Sequence, residues 1–211
     1  MIQNRNKNKG EKCIKILNVK KEYLLMHSEE EIKQEDKIKY ENCIKELIKG
    51  KPLQYITNKQ EFMALDFYVD ENVLIPRQDT EILVEEVMKL TNSESRVLDM
   101  CTGSGCIIIS LAASGHTSEN GAVAIDISDD ALKVADYNKK YNNADYIKLI
   151  KSDMFSSSEC EQYKNEDNRF DVIVSNPPYI PTKDIDELSE EVRLHDPVLA
   201  LDGDTDGLKF Y

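Results

Sequence analysis

A short segment late in the chain, Asn176-Pro177-Pro178-Tyr179, has residue types that suit the binding of a planar amino group. Two consecutive prolines fix the backbone and remove two N–H donors, so the carbonyl groups of the turn face outward with no neighbouring amide to occupy them. The Asn176 side-chain oxygen and the Pro177 carbonyl then make two acceptors, which match the two N–H bonds of an –NH2 group. Tyr179 can lie against a flat amide or base, and a purely structural turn would need neither the asparagine nor the tyrosine. The segment predicts a catalytic pair, Asn176 and Pro177, within a substrate site that includes Pro178 and Tyr179.

A glycine-containing turn, Cys101-Thr102-Gly103-Ser104-Gly105, follows a short apolar run. Glycines here let the backbone approach a ligand closely and leave amides pointing outward at the start of the next helix. The dinucleotide fingerprint needs a third glycine where Ile108 stands, so the pattern disfavours NAD but still suits a nucleoside. A tight strand-to-helix turn without a ligand would contain the same glycines, so this motif alone leaves both interpretations open.

An aspartate, Asp126, ends the next apolar run, 21 residues after Gly105. Nucleoside-binding sheets hold ribose hydroxyls at this position, because a carboxylate can accept from both hydroxyls of a cis-diol. A helix cap is the alternative role, but Ser128 and Asp129 lie nearer to the following helix. We therefore favour ribose binding.

A third turn contains Asp153, Met154 and Phe155. An acid followed by two apolar residues can accept from an exocyclic amine and flank a purine ring. An acid at the end of a strand is common, so this turn gains weight only from its position beside the others.

The pattern of apolar runs predicts the elements that position these turns. Several runs are apolar on both faces, as interior parallel strands are, and their alternation with helical patterns predicts an open, doubly wound α/β sheet. In such a sheet ligands bind beyond the carboxyl ends of the strands, where all four turns lie. We predict a loop with at most one helical turn at Ser156–Arg169, and a helix cap at Asp79 or Thr80. The predicted strands are Arg96–Met100, Ala122–Ile127, Tyr146–Ile150 and Phe170–Ser175, and the predicted helices are Glu81–Leu90, Cys106–Ala113 and Asp129–Tyr141.

Three regions are predicted along the chain. Residues 1–60 form a small helical domain, because apolar residues recur at helical spacing from Glu11 to Gly50 in two or three amphipathic helices. Residues 61–78 form a linking β-hairpin, in which strand-type residues are interrupted at Asp70-Glu71-Asn72. Residues 79–211 form the doubly wound domain.

Composition limits the classes of function. The 211 residues are 40% hydrophobic and 32% charged, and they contain neither a membrane-length apolar run nor a signal-like start, so we expect a cytoplasmic protein without a membrane partner. The five scattered cysteines and three histidines specify neither a disulfide framework nor a metal site. We interpret Cys101 and Cys106 as small packing residues.

The charge is uneven along the chain. Residues 1–50 contain 12 basic and 9 acidic residues, a net of +3, whereas residues 51–211 contain 15 and 31, a net of −16. A body this acidic repels phosphate backbones, so direct nucleic-acid binding is disfavoured.

The four turns, in this order, resemble the class I methyltransferases that use S-adenosyl-L-methionine and methylate a planar nitrogen. Within that class, the chain resembles the HemK/PrmC family, which methylates N5 of a glutamine in peptide-chain release factors. The likeness runs from about Gly50 to Tyr211 and is less clear in the N-terminal helices. The segments that carry it are 50–56, Glu61-Phe62, 73–81, 196–201 and Asp206-Gly207-Leu208.

The resemblance implies a role for each turn. The backbone of Cys101 to Gly105 would hold the methionine end of S-adenosylmethionine, Asp126 its ribose, and Asp153 with Met154 its adenine. Asn176 to Tyr179 would hold the glutamine of the release factor's Gly-Gly-Gln loop, with Asn176 also next to the cofactor. The fold would be a Rossmann-like methyltransferase sheet.

The chain departs from the family's pattern at Gln78, Asp196 and Asp204, and Met154 stands where an aromatic or other apolar residue often covers adenine; none of these changes abolishes a proposed role. The family continues beyond the position of Tyr211, so the resemblance predicts a C-terminally truncated chain with strands 1–4 only. In that case the Phe170–Ser175 strand would be an unpaired apolar edge. Two alternatives stay open: a DNA or RNA amino-methyltransferase acting on adenine N6 or cytosine N4, and an inactive cofactor-binding fragment.

Overall fold

The computed structural model describes residues 19, 21–27, 29 and 31–211. The chain divides into two compact units, Met1–Asn58 and Lys59–Tyr211. The helical pattern predicted around Ile14 and Leu17 lies outside the described residues. None of the helices in the described part is long and apolar enough to cross a membrane.

The first unit contains three helices in its described part, α1 (Lys21–Met26), α2 (Gln34–Ile48) and α3 (Leu53–Thr57). Every residue of α2 is at least partly exposed, which agrees with its high content of lysine and glutamate. The chain leaves α2 through Gly50, which has a φ of +93°. Tyr55 in α3 is buried.

The second unit begins with a hairpin, β1 (Gln60–Phe62) and β2 (Leu65–Phe67), in antiparallel pairing. The predicted position of this hairpin, within residues 61–78 and interrupted at Asp70-Glu71-Asn72, was wrong. The chain reverses at Met63 and Ala64, which both have positive φ angles, 49° and 59°. Such a turn is normally signalled by Asn-Gly or Asp-Gly, and neither residue here gives that signal.

The predicted turn at Asp70 exists but joins no strands. The Asp70 carboxylate accepts the N–H of Asn72 at 3.0 Å, and its carbonyl accepts the N–H of Val73 at 3.2 Å. Val69, Val73 and Ile75 are buried in an irregular segment. Burial alone therefore produced the strand-like pattern.

The core of the second unit is a parallel sheet in the order β5-β4-β3-β6. This arrangement confirms the predicted α/β class with four strands. The chain places β4 and β5 on one side of β3 and then β6 on its other side, so the topological switch point lies between β3 and β6. The strands are β3 (Val97–Met100), β4 (Ala122–Asp126), β5 (Lys148–Lys151) and β6 (Val172–Ser175), and the helices are α4 (Gln78–Met88), α5 (Cys106–Ala113), α6 (Asp129–Tyr141) and α7 (Glu190–His195).

The two faces of the sheet are covered differently. On one face Val97, Ala124 and Val174 pack against Ile108 of α5 and Val84 of α4. The other face is covered by the segment between β5 and β6, which contains Phe155, Cys160, Tyr163 and Phe170. This segment was predicted as a loop with at most one helical turn, but it forms 3-10 helices at Ser158–Lys164 and Glu166–Asn168. The buried Cys160 and the partly buried aromatic side chains explain the extra order, because they anchor the polar stretch to the sheet.

Helix α4 begins three residues earlier than predicted, at Gln78. Asp79 and Thr80, predicted as caps, therefore lie in its first turn, and the N-cap is Arg77, without a side-chain cap bond. Glu81 instead accepts the N–H of Met63 at 2.8 Å. This bond ties the start of α4 to the hairpin turn.

Strand β6 lies at an edge of the sheet. It pairs with β3 on one side, and no other strand of the described residues pairs with its second side. Ile173 in this strand is 56% exposed. The edge position agrees with the one that the family resemblance predicts.

Candidate active site

The carboxyl ends of the four parallel strands surround a cavity of about 260 Å³, which we call the first cavity. It lies at the switch point between β3 and β6, where doubly wound sheets bind their ligands. Its wall contains eight of the nine predicted cofactor-binding residues: Cys101, Thr102, Gly103, Ser104, Asp126, Asp153, Met154 and Asn176.

Gly105 is the predicted residue that does not line this cavity. It is buried at the start of α5 with a φ of +79°, and a β-carbon built there would lie 2.8 Å from Cδ1 of Ile109 in the same helix and 3.4 Å from Cβ of Ala135 in α6. Glycine therefore suits both the backbone conformation and the close packing at this position. At Gly103, by contrast, a β-carbon would meet no atom within 4 Å, so this part of the turn has open space beside it.

The glycine turn is held by hydrogen bonds to the sheet. The N–H of Thr102 donates to the carbonyl of Ile125 at 3.0 Å, and the Thr102 hydroxyl donates to the Asp99 carboxyl at 2.6 Å. Cys101 has a φ of +60°, a conformation that costs a residue with a side chain about 1 kcal/mol or more and is often found at functional sites. These contacts fix the backbone that lines the first cavity.

Asp99 lies beneath this turn and is fully buried. Burial raises the pKa of its carboxyl to about 7, against the opposing effect of the Thr102 hydrogen bond. Its Oδ1 has no hydrogen-bond partner among the described residues. The carboxyl is therefore largely neutral below pH 7.

Asp126 is partly buried, and each of its carboxylate oxygens accepts one backbone N–H. Oδ2 accepts from Gly103 at 2.8 Å, and Oδ1 accepts from Ser128 at 2.9 Å. Burial raises the pKa of Asp126, although these N–H groups oppose the shift. The helix cap is supplied by Ser128, whose Oγ accepts the N–H of Ala131 at 3.2 Å. Asp126 is thus not needed as the cap, and each oxygen keeps a lone pair for a ligand.

The turn after β5 places an exposed carboxylate and an apolar side chain side by side. Asp153 is exposed and Met154 is partly buried, with a φ of +50°. The preceding residue, Ser152, is buried and donates its N–H to the Asp126 carbonyl at 2.9 Å. The turns after β4 and β5 are therefore directly bonded.

The turn after β6 presents Asn176 to the first cavity. Its side-chain Nδ2 donates to the hydroxyl of Thr80 at 3.4 Å, which directs the donor end of the amide to α4 and leaves Oδ1 as the end for a ligand. Pro177 and Pro178 are buried, and Tyr179 is 60% exposed.

A second cavity of about 490 Å³ adjoins the first. Its walls include Leu83, Leu188 and Val192, and Tyr179 lies at its side. Pro178 lines the first cavity, and Pro177 lines neither of the two. The residues common to both walls are Leu74, Arg77, Thr80, Asn176 and Ala200.

Sequence reasoning missed three supports of this site. Arg77 donates to the buried carboxylate of Asp196 at 2.7 Å, which links the start of α4 to the segment that closes the first cavity. Thr80, predicted as a cap, contacts Asn176. Asn138 of α6 is fully buried and donates to the carbonyl of Ser104 at 2.9 Å. Arg77 and Asp196 both lie in segments that carry the family resemblance, but nothing in the sequence pairs them.

The two cysteines beside the glycine turn are not nucleophiles. Burial raises the pKa of the Cys101 thiol to about 11 and that of the Cys106 thiol to about 12. Both are protonated at neutral pH, and only a thiolate would react. Their interpretation as packing residues fits this chemistry.

Two family models match the chain. "Methyltransferase small domain" matches residues 77–193, and "PrmC N-terminal domain" matches residues 15–57. The second match extends the likeness into the N-terminal helices, where the sequence alone showed it less clearly.

Similar proteins named release factor glutamine methyltransferase are found in several bacteria. The one from Clostridium botulinum is 39% identical over 202 residues, which cover 93% of this chain and 68% of that protein. The chain belongs to the release factor glutamine methyltransferase family. The family member from Clostridium acetobutylicum is 40% identical over 192 residues, covering 90% of this chain and 65% of that protein. The chain thus spans between about half and two thirds of the length of the first relatives that it matches.

Among solved structures, the hMettl16 catalytic domain in complex with the MAT2A 3′UTR hairpin 6 has a TM-score of 0.50 and 19% identity. The match covers 70% of this chain and 54% of that one. A likeness at this identity shows the fold, a Rossmann-like sheet, and nothing about the substrate.

The residues of the first cavity fit S-adenosylmethionine, the cofactor of this kind of methyltransferase. Asp126 offers carboxylate lone pairs for a diol, and Asp153 offers an acceptor for an exocyclic amine beside the apolar Met154. Because Gly103 has no side chain, the space beside it in the cavity wall stays open for a ligand. The chemistry of these groups matches the ribose, the adenine and the amino-acid end of that molecule.

Proposed function

We propose that this chain binds S-adenosylmethionine in the first cavity and transfers its methyl group to N5 of the glutamine in the Gly-Gly-Gln loop of peptide-chain release factors. The family supports this reaction, and its members are named for it. The same proposal places the protein in the cytoplasm, where release factors act, with a protein rather than a nucleic acid as its substrate.

The position of Asn176 carries the proposal. It lies in the wall that the two cavities share, so one side chain can face a cofactor in the first cavity and a glutamine amide in the second. The apolar walls of the second cavity, including Leu83 and Val192, suit the methylene groups of a glutamine side chain. Tyr179 can flank its planar amide.

The cofactor roles follow from the geometry of the turns. Asp126 is proposed to accept from the ribose hydroxyls, and Asp153 from the adenine amine, with Met154 against the ring. The backbone from Cys101 to Ser104 would face the methionine end. Gly105 would act through the packing of α5, since it does not line the cavity.

An amide nitrogen is a poor nucleophile because its lone pair is delocalised into the carbonyl. S-adenosylmethionine supplies an electrophilic methyl group when it is bound. Asn176 Oδ1 is proposed to accept one N–H of the glutamine amide. Pro177 lines neither cavity, so its carbonyl would accept the other N–H only if the amide lies directly against the turn; the two acceptors together would hold the nitrogen in the reactive orientation. Positive charge develops on these N–H groups as the N–C bond forms, so both acceptors bind more strongly in the transition state, and one proton then leaves to water.

The test is a transfer assay with a radiolabelled methyl group. Purified chain and labelled S-adenosylmethionine are offered a release factor, the same release factor with its loop glutamine changed to alanine, and duplex DNA. The full-length C. acetobutylicum relative is the positive control for the release factor preparation. We expect label in the unmodified release factor alone.

Two other results would contradict the proposal. Label in duplex DNA would indicate an amino-methyltransferase that acts on bases. Cofactor binding measured by calorimetry, together with no label in any acceptor, would indicate a cofactor-binding module without transferase activity.

A further inference from the structure

The segment 202–207, which we call the buttress loop, lies directly against the turn after β6. The N–H of Ile180 donates to the carbonyl of Leu201 at 3.0 Å, and the N–H of Gly203 donates to the carbonyl of Ile180 at 2.8 Å. These reciprocal bonds resemble a short piece of sheet, and Ile180 forms an isolated parallel bridge with Asp202.

Thr182 makes two more bonds to the buttress loop. Its N–H donates to the carbonyl of Asp204 at 3.0 Å, and its hydroxyl donates to the Asp202 carboxylate at 2.7 Å. The chain that leaves the catalytic turn is therefore tied to the loop over three residues.

Two glycines of the loop touch the backbone of Tyr179. A β-carbon built at Gly207 would overlap the Tyr179 carbonyl oxygen and lie 3.2 Å from its carbonyl carbon. One built at Gly203 would lie 2.9 Å from Cα of Tyr179. Gly207 also has a φ of +78°, so this position requires glycine for its conformation as well as for the close approach.

This contact adds to two side-chain bonds near the turn, from Ser175 to the carbonyl of Met100 and from Asn176 to Thr80. Strand β6 is an edge strand, and the chain leaves the sheet immediately after Ser175. A side chain at Gly203 or Gly207 would overlap the Tyr179 backbone, so the loop and the turn would have to separate and the position of Asn176 would change with that of the turn.

We propose that Gly207, assisted by Gly203, is a positioning residue that sets the depth of the Asn176–Tyr179 turn between the two cavities. The proposal rests on the proposed function, because the depth of this turn determines where the acceptor oxygens meet the glutamine amide. A misplacement of about 1 Å can cost on the order of 100-fold in rate.

The main test compares Gly207→Ala with Gly115→Ala. Gly115 has a similar φ of +72°, but a β-carbon there meets no atom within 4 Å, so this control reproduces the conformational strain without the contact. We expect Gly207→Ala to lower kcat by about 10- to 100-fold with the Kd for S-adenosylmethionine within twofold of the wild type, and Gly115→Ala to leave both unchanged. A wild-type kcat in Gly207→Ala would overturn the proposal, as would a parallel loss of turnover and cofactor affinity.

A milder pair of variants covers the case in which Gly207→Ala does not fold. Thr182→Val removes the hydroxyl bond between the turn and the loop, whereas Thr205→Val removes a hydroxyl bond to Asp204 within the loop. We expect a several-fold fall in kcat for Thr182→Val only. Equal effects of the two variants would contradict a positioning role.

A fluorescence measurement, which does not depend on enzymatic turnover, tests this proposal separately from the proposed function. The chain contains no tryptophan, so Tyr179→Trp introduces a single indole at the turn. We expect its emission maximum to shift in the Gly207→Ala background and not in the Gly115→Ala background. No shift would overturn the positioning role, and a shift in a chain that shows no methyl transfer would support positioning while rejecting the proposed function.

Discussion

The two halves of the candidate site are supported in different ways. We call the turns after β3, β4 and β5 the cofactor half. The turns after β3 and β5 both bond to the end of β4, because the N–H of Thr102 donates to the carbonyl of Ile125 and the N–H of Ser152 donates to that of Asp126. The turn after β6, here the acceptor half, is held by Thr80, 96 residues earlier in the chain, and by the buttress loop that follows it. The first half is thus built from consecutive β-α-β units, and the second is assembled from remote segments.

The difference follows from what lies beside each strand end. Strands β3 and β4 have neighbours on both sides, and β5, which like β6 has one neighbour among the described residues, is followed by Ser152, whose N–H donates to the carbonyl of Asp126. Strand β6 has one neighbour, and its end depends on whatever packs against it. Substitutions in the cofactor half should therefore mainly raise the Kd for the cofactor, and substitutions in the acceptor half should mainly lower kcat.

The largest expected effect comes from Asn176→Ala, which damages the acceptor half alone. Loss of an acceptor that strengthens in the transition state should lower kcat on the order of 10²- to 10³-fold, by analogy with the loss of one oxyanion-hole donor. The Kd for S-adenosylmethionine, measured by calorimetry, should change little. Asn92→Ala, in an exposed turn away from both cavities, is the matched control. Wild-type turnover in Asn176→Ala with cofactor bound would refute the role.

A smaller effect is expected from pH, through Asp99 beneath the cofactor half. Its pKa is about 7 in the folded chain and 3.8 ordinarily, so the folded state keeps a proton that the unfolded state has lost. Stability should therefore fall as pH rises from 5 to 7, by about 2 kcal/mol from this group.

Asp99→Asn should remove this component, because an amide can still accept from the Thr102 hydroxyl but does not titrate. Urea unfolding followed by circular dichroism at pH 5 and pH 7 measures the difference between the two proteins. Parallel pH profiles for the wild type and the variant would show that Asp99 is not the source.

The smallest effect is expected from Asp126→Asn, the complement of Asn176→Ala. The substitution removes the charge from the proposed acceptor of the ribose hydroxyls and replaces one of the two oxygens that accept the N–H groups of Gly103 and Ser128. A hydrogen bond to a charged group is worth about 1.5 kcal/mol or more. The Kd for S-adenosylmethionine should rise about tenfold, with kcat at saturating cofactor nearly unchanged.

Asp130→Asn is the control, since Asp130 is an exposed aspartate of α6 whose partner is Lys133. If Asp126→Asn lowered kcat without raising the Kd for S-adenosylmethionine, the two halves would not act separately.

The same division explains what the sequence could predict. Helices α5 and α6 lie where they were predicted, because a glycine turn precedes the first and Ser128 caps the second. The strands agree to within about two residues, since buried parallel strands have continuous apolar runs. The cofactor half depends on such local signals, and seven of its eight predicted residues line one cavity.

The supports of the acceptor half could not be predicted from local patterns. Thr80 resembles a helix cap in the sequence, and only the fold places it beside Asn176. Gly207 contacts Tyr179 through backbone atoms, which have no residue-specific pattern. The hairpin was misplaced for a related reason, because Met63 and Ala64 adopt a turn conformation that their side chains do not favour.

The wall shared by the two cavities has a practical consequence for inhibitor design. If the cofactor and the glutamine bind as proposed, a compound with a nucleoside at one end and a carboxamide at the other would fill both cavities at once. Its second group would bind at the high effective concentration that a short linker provides. A series of such bisubstrate compounds would show its tightest member where the linker just spans the gap at Asn176. The length of the optimal linker would therefore indicate the distance between the sulfur of the bound cofactor and the nitrogen of the bound amide.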